Sequence, residues 1–103
     1  MNYLVKARAR LDLKHHWRYI AGDNPAAADQ LLVVAEESFK RIAENPDIGS
    51  QRSFRRIVGV RSRAVTGFGN YLVFYQTRGK TVVIVRVLHG MRDLPRFFLK
   101  RRV

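Results

Sequence analysis

Residues 69–96 contain the feature that most constrains the fold, two runs of aromatic and β-branched residues joined by a short polar turn. The runs span 71–76 and 81–88, and the connection between them includes Gly79, where a hairpin turn needs a glycine. This pattern predicts a β-hairpin. The second run, TVVIVRVL, is nearly all apolar rather than alternating. Both of its faces should therefore be covered, as in a central strand.

Arg86 interrupts this apolar run. Because strand side chains alternate between faces, Arg86 is expected on the same face as Val82, Ile84 and Leu88. A guanidinium among apolar side chains is not expected to be buried without a partner. The sequence therefore predicts a polar neighbour for Arg86, which it does not identify.

Two amphipathic helices are predicted ahead of the hairpin. In 7–21 the apolar positions recur at four, four and three residues, which is helical spacing; they are Ala9, Leu13, Trp17 and Ile20. The second helix, 25–44, follows a suitable N-cap, Asn24, and begins at Pro25. Its apolar stripe comprises Ala28, Leu31, Leu32, Ala35, Phe39 and Ile42. The short link between the helices predicts an antiparallel helical hairpin.

The other segments are shorter. Residues 2–5 are β-like, 47–56 form a polar connection expected to pack through Phe54, and 94–102 can form a short basic helix. Residues 60–65 alternate, which predicts a strand with Arg61, Arg63 and Val65 on one face and Val60, Ser62 and Ala64 on the other.

This order predicts an α+β fold. An N-terminal strand and an α-helical hairpin would pack on an antiparallel sheet in the order β-α-α-β-β-β, followed by the short C-terminal helix. The opposite face of the sheet would remain open. With 103 residues, the chain is expected to form a single domain over 1–103.

Composition argues against several classes of protein. No apolar run approaches the roughly 20 residues of a membrane span, and no signal peptide opens the chain, so a cytoplasmic location is expected. There are no cysteines, and the adjacent His15 and His16 point in different directions, so no metal site is expected. Both histidines are interpreted as surface or half-buried polar residues. The glycines match no phosphate-binding loop, and no cofactor is predicted.

The charge distribution is the strongest functional signal in the composition. The chain carries 20 Lys and Arg against 8 Asp and Glu, a net charge of +12. Residues 1–47 are balanced at 7 of each, whereas residues 48–103 hold 13 basic side chains against Asp93 alone. This asymmetry favours an anionic partner, such as nucleic acid, a nucleoprotein or an acidic protein, over a merely solvated cationic surface.

Three motifs carry a resemblance to a known family. They are GNYLVFY, VRVLHGMRDLP and, in the helical half, YIAGDNPAAADQL. In this order they resemble the ParE branch of the ParE/RelE superfamily of bacterial toxins. The resemblance implies the toxin of a type II toxin-antitoxin system, associated with plasmid stabilisation. Toxins of this branch poison DNA gyrase without being enzymes, and a ParD-type antitoxin neutralises them.

Candidate contact residues follow from the charge and from the resemblance. For gyrase or its DNA they are Arg61, Arg63, Arg86, His89, Arg92, Arg96, Lys100, Arg101 and Arg102. For the antitoxin, which is expected to be acidic, they are Trp17, Tyr19, Leu31, Leu32 and Phe39 on the helical hairpin. Trp17 is also predicted to anchor the core side of its helix.

Two alternatives remain at this point. The RelE branch consists of ribosome-dependent mRNA endonucleases, and His89 with Arg86 and Arg92 could in principle flank a phosphate. Phe97 and Phe98 stand where those enzymes commonly carry a tyrosine or histidine near the C-terminus, and a lone histidine is an incomplete site. We therefore favour a structural role, in which the His89 ring holds the turn after the strand. The second alternative is a basic nucleic-acid-binding module without toxicity.

Overall fold

A computed structural model describes residues 1–52 and 59–94. Its helices and strands, in chain order, are β1 Asn2–Val5, α1 Ala7–Ala21, α2 Pro25–Glu44, a 3₁₀ turn at Pro46–Ile48, β2 Ser50–Arg52, β3 Val60–Val65, β4 Phe68–Arg78 and β5 Thr81–His89. The α+β class and both helix boundaries agree with the sequence-based predictions. Within 1–52 and 59–94, no helix combines the length and apolarity that a membrane crossing requires.

Within the described residues the sheet has five strands, in the order β1-β5-β4-β3-β2. Strands β3, β4 and β5 form the predicted antiparallel meander, and β5 is central between β1 and β4. However, β1 pairs with β5 in parallel, so the sheet is mixed, and the prediction of an antiparallel sheet is wrong at this edge. The direction of β1 depends on where the helical hairpin returns the chain, and local sequence does not encode that position.

The structure contains one strand that the sequence analysis missed. Within the predicted polar connection 47–56, β2 pairs antiparallel with β3, with Gln51 opposite Arg61. All three of its residues are exposed, so β2 shows no alternation of apolar and polar side chains that could indicate a strand. Phe54, which was expected to pack this segment, lies outside the described residues.

The helical hairpin packs on one face of the sheet. The side-chain oxygen of Asn24 accepts a hydrogen bond from the Ala27 N–H at 3.1 Å, as expected of the N-cap of α2. The apolar stripe of α2 is buried, except for Leu32, which is 40% exposed. The core between helices and sheet includes Ala9, Leu31, Ala35, Phe39, Ile42, Val65, Tyr71, Val73, Tyr75, Val82, Ile84 and Val87.

The hairpin of β4 and β5 is confirmed, and its turn is tight. Only Gly79 and Lys80 lie between the paired residues Arg78 and Thr81. Gly79 has φ +60°, whereas no other residue type in the described chain has a positive φ. A positive φ at the first turn position alone is the pattern of a type II′ turn, which suits the twist of the flanking strands.

A β-bulge in β5 changes the predicted arrangement of its faces. Phe74 pairs with Arg86 and Tyr75 pairs with Ile84, so Val85 has no partner on β4. The extra residue shifts the alternation that follows it. Ile84 and Val87 therefore both join the core under the helices, whereas Leu88 belongs to a separate cluster. The expectation that Leu88 shares a face with Ile84 is wrong for this reason.

The sheet face turned away from the helices is covered at its centre. Val73 and Tyr75, the chain neighbours of Phe74, both belong to the helix-facing core. Because strand side chains alternate, Phe74 points to the other face, where it clusters with Val60 and Leu88. These three side chains are at most 2% exposed, and Leu94 packs against them. The expectation of an open face is therefore wrong here. Beyond Leu94, the predicted helix 94–102 lies outside the described residues.

Tyr75 joins the sheet to the chain after α2. Its ring is fully buried, and its hydroxyl donates to the Pro46 carbonyl at 2.7 Å and accepts from the Gly49 N–H at 2.8 Å. A Cβ on Gly49 would lie 2.6 Å from the Tyr75 hydroxyl oxygen and 2.8 Å from the Ser62 carbonyl oxygen. The backbone just before β2 therefore lies so close to Tyr75 and Ser62 that position 49 requires glycine.

We expect Gly49→Ala to destabilise the protein by about 1–3 kcal/mol, because the added methyl group overpacks a site walled by a backbone carbonyl and a buried ring. Gly69→Ala is the matched control, since a Cβ there meets nothing within 4 Å. Urea unfolding followed by circular dichroism measures both changes. Equal transition midpoints for the two variants would contradict this account of Gly49.

Candidate functional site

Beyond the end of β1, two side chains of α1 form hydrogen bonds with backbone groups on the edge of β5. The backbone N–H of Val87 donates to Asp12 Oδ2 at 2.9 Å, and His16 Nε2 lies 2.8 Å from the Val87 carbonyl oxygen. Because a carbonyl oxygen can only accept, His16 Nε2 must carry the proton. Asp12 and His16 are four residues apart and thus share one side of α1, which faces the strand.

The sequence predicted that Arg86 has a polar neighbour, and the structure shows that this neighbour is Asp12. The guanidinium donates twice to the carboxylate, from Nε to Oδ2 at 2.8 Å and from Nη2 to Oδ1 at 3.0 Å. The Asp12 side chain is 10% exposed and that of Arg86 is 21% exposed, so the pair is largely desolvated. Charge-assisted bidentate pairing of this kind is both strong and geometrically specific. The charge of Arg86 is therefore used inside the fold.

Tyr71 is the centre of an aromatic cluster at the end of β5. The rings of His16 and His89 both meet Tyr71 edge-on, at centroid distances of 4.8 and 4.9 Å. Arg92 donates from Nη2 to the Tyr71 hydroxyl at 3.0 Å, and its guanidinium carbon lies 4.0 Å from the centroid of the Tyr19 ring. This cation-π contact holds Arg92 against α1. Tyr19 nevertheless remains 67% exposed.

The His89 ring organises the turn after β5. Its Nδ1 accepts hydrogen bonds from the N–H groups of Met91 and Arg92, both at 3.1 Å. The Asp93 carboxylate accepts from the His89 N–H at 2.7 Å, and the Asp93 N–H donates to the His89 carbonyl at 2.8 Å. This arrangement confirms the structural role predicted for His89. Because Nδ1 accepts, the neutral ring carries its proton on Nε2.

Burial lowers the pKa of both histidines. For His16 the desolvation outweighs the opposing effects of the Val87 carbonyl, Asp93 and Asp12. For His89 the desolvation acts together with the nearby positive charge of Arg92. Burial also raises the pKa of the Tyr71 hydroxyl. The cluster is thus built from neutral rings around one guanidinium.

The sequence matches, over residues 3–94, the family described as ParE toxin of the type II toxin-antitoxin system, parDE. The chain belongs to the ParE toxin family. This confirms the resemblance carried by the hairpin and helix motifs. Both halves of the fold, including Asp12 and the His89 turn, fall within the matched residues.

A solved structure agrees with the fold of this ParE family member. It is titled as the chromosomal ParDE TA system from P. aeruginosa, and it superposes with a TM-score of 0.72 at 19% sequence identity. The match covers 86% of this chain and 95% of that chain. At such low identity the likeness is one of fold. No curated protein matches the sequence significantly.

The arginines predicted to contact the target of the toxin occupy different surroundings. Arg61 donates to the Gly49 carbonyl at 2.7 Å and lies 3.8 Å from an Asp47 carboxylate oxygen, whereas Arg86 is paired with α1. Arg63 is half-buried on the same face of β3 as Arg61. The remaining candidates, Arg96, Lys100, Arg101 and Arg102, lie outside the described residues.

The residues predicted to contact the antitoxin divide between core and surface. Leu31 and Phe39 are 0% and 2% exposed and belong to the core between the helices and the sheet. Tyr19 and Leu32 are exposed. Trp17 is half-buried and lies outside the core clusters; its Nε1 donates to Asp29 of α2 at 2.9 Å, so it links the two helices rather than anchoring the core.

Sequence reasoning missed Asp12 and His16. His16 was expected at the surface or half-buried, but it is only 6% exposed. The available signal was positional, because Asp12 and His16 fall on the side of α1 that carries Ala9 and Ile20. Asp12 is also the only acidic residue of α1, and Arg86 needed a partner. Among the described residues, no group of three or more His, Asp or Glu side chains could hold a metal ion.

Replacing Asp12 with alanine should destabilise the fold by about 3–5 kcal/mol, because it removes the carboxylate that neutralises the largely desolvated Arg86 guanidinium and accepts from the Val87 N–H. Asp23→Ala removes an exposed carboxylate near the end of α1 and is the control. Thermal and urea unfolding report both variants. If Asp12→Ala retains wild-type stability, the proposed dependence of the α1–β5 contact on Asp12 is wrong.

Stability should also fall when the solution is acidified from about pH 7.5 to about pH 5.5. The unfolded histidines take up protons near pH 6.5, whereas the folded His16 and His89 resist protonation because their pKa values are lowered. The stability present above pH 6.5 is therefore lost as the pH falls.

The control variants replace each histidine with an amide side chain, which can keep one hydrogen bond of the ring but does not titrate. Glutamine at position 16 can donate to Val87, and asparagine at position 89 can accept from the turn. Urea unfolding at both pH values should show a smaller pH effect in His16→Gln and His89→Asn than in the wild-type protein. An unchanged pH dependence in the combined variant would refute the assignment to these histidines.

Proposed function

We propose that this ParE family member is the toxin of a type II toxin-antitoxin pair that inhibits DNA gyrase, blocks replication and is neutralised by a ParD-like antitoxin. The family match over residues 3–94 is the observation that supports this proposal. The net charge of +12 suits a target that is complexed with DNA. The toxin would act in the cytoplasm, with a role in plasmid stabilisation.

The surroundings of the basic side chains narrow the candidates for contact with gyrase. Arg61, Arg86 and Arg92 are each engaged with neighbouring groups of the fold, so their charges are partly committed. His89 is neutral and shapes the turn from which the C-terminal segment departs. We therefore assign the main contact to Arg63 and to the late cations, Arg96, Lys100, Arg101 and Arg102.

The antitoxin is proposed to contact exposed apolar groups of the helical hairpin. Tyr19 and Leu32 are 67% and 40% exposed, and Val33 beside Leu32 is 52% exposed. Large exposed side chains of this kind provide anchor positions for a partner. An acidic segment of the antitoxin could at the same time neutralise basic side chains of the toxin.

The endonuclease alternative has less support from the described residues. His89 Nδ1 is occupied by two backbone N–H groups, and Arg86 is paired with a carboxylate. A general base and a phosphate-binding cation would both need to leave these contacts before they could act.

Purified protein should inhibit supercoiling by gyrase and increase the amount of cleaved DNA trapped with the enzyme. Replacing Arg96, Lys100, Arg101 and Arg102 with glutamine should weaken inhibition at least about tenfold, if each cation contributes a few tenths of a kcal/mol to the interface. The charge-matched control replaces Lys40, Arg41, Arg78 and Lys80, which are exposed on α2 and at the hairpin turn.

The outcomes separate the three functions. Trapped gyrase cleavage complexes with intact mRNA would support the gyrase poison. Cleaved mRNA in expressing cells, lost in His89→Ala, would instead establish the endonuclease. Nucleic-acid binding without growth inhibition would establish the binding module, and both of these results would overturn the proposal.

A further inference from the structure

The outer side of α1 carries a row of positive charges that the sequence analysis did not single out. Lys6, Arg10, Lys14 and Arg18 follow one another at intervals of four residues, and all four are exposed. A spacing of four places successive side chains on neighbouring positions of one helix side, with a rise of about 6 Å per step. We call these four residues the α1 cationic stripe. Arg8 is a further exposed cation on this helix.

No cation of the stripe forms a salt bridge within the described residues. The salt bridges found there involve His16, Arg61 and Arg86, and none includes a cation of the stripe. Asp12, the only acid of α1, is buried and already neutralised by Arg86. Glu36 of α2 instead accepts a hydrogen bond from the Tyr3 hydroxyl, which is the main cause that raises the pKa of Tyr3 to about 12.

The stripe is unfavourable for the helix that carries it. Each like-charged pair at a spacing of four residues destabilises a helix by roughly 0.2–0.5 kcal/mol, and the stripe contains three successive pairs of this kind. Lys6 occupies the N-cap position without a side-chain cap, and the first turn contains no acid although it includes Arg8 and Arg10. Positive charge at a helix N-terminus opposes the helix dipole. Helix formation therefore does not account for these cations.

Charge and shape together favour a polyanion as the partner of this surface. The stripe is linear and about 18 Å long, and one DNA strand carries about five phosphates over that distance. A protein partner would also need a cluster of apolar anchors, and Leu11, at 45% exposure, is a single exposed aliphatic side chain on α1. The exposed side chains Tyr19, Leu32 and Val33 are the anchors proposed above for the antitoxin.

We propose that the α1 cationic stripe is a docking surface for the phosphate backbone of nucleic acid, separate from the C-terminal cations. This inference builds on the proposed function, since the stripe would let the toxin bind the DNA of the gyrase complex directly. Binding through phosphates is independent of base sequence and depends strongly on salt. The Asp12 contacts with β5 fix the orientation of α1 and so keep the stripe turned outward.

Fluorescence anisotropy with a labelled duplex of random sequence, measured between about 50 and 200 mM salt, tests this surface without gyrase. The stripe variant replaces Arg10, Lys14 and Arg18 with glutamine. If all three contact phosphates, the slope of log affinity against log salt should become shallower by about 2.7. The control variant replaces Lys40, Arg41 and Lys80 with glutamine, removes the same charge from exposed positions, and should change the slope by less than about 1.

Circular dichroism should show the same helix content in both variants, because the replaced side chains are exposed. An unchanged slope in the stripe variant, or an equal change in the control, would overturn the proposal. So would a stripe variant that loses binding to polyglutamate while it keeps its affinity for DNA. If the wild-type protein fails to inhibit gyrase but the slopes differ as expected, the proposed target is wrong and the docking surface stands.

Discussion

The contact between Asp12 and β5 is the interaction on which the arrangement of this protein depends. One carboxylate accepts hydrogen bonds from the Val87 N–H and from Nε and Nη2 of Arg86, so it satisfies a strand edge and pairs with a desolvated cation. His16, one turn further along α1, completes the edge by donating to the Val87 carbonyl. Beyond the short parallel strand β1, α1 thus takes the place of a neighbouring strand, and its side chains satisfy backbone groups that water would otherwise have to reach.

The described cations differ in how far the fold uses their charge. Three arginines of the sheet and its final turn are engaged internally: Arg61 with the 47–49 segment, Arg86 with Asp12, and Arg92 with Tyr19 and Tyr71. By contrast, the exposed cations of α1 have no salt bridge in the described part of the chain. The net charge of a segment is therefore a poor guide to the charge on its surface. Asp12 is buried in its pair with Arg86, so it does not offset the exposed cations of α1. The half of the chain that is neutral by composition displays an uncompensated positive helix face.

The sequence alone predicted most of the framework of the site and little of its contacts. The hairpin, both helices and the Asn24 cap depend on local periodicity and turn chemistry, and the structure confirms them. The structural role of His89 was likewise predicted, because a single histidine beside a strand end makes an incomplete catalytic site. The parallel pairing of β1 and the edge strand β2 were missed, since a short segment without alternation carries no record of its partner.

What the sequence determined by itself was the order of the two helices and of strands β1, β3, β4 and β5, the family, and the need of Arg86 for a polar partner. The tertiary structure alone decided that this partner is Asp12, that Leu31 and Phe39 are core residues, and that the Val85 bulge moves Leu88 to the other face. Periodicity repeats along the chain and can be read locally. Pairing between residues 74 positions apart, such as Asp12 and Arg86, exists only after the chain has folded back on itself.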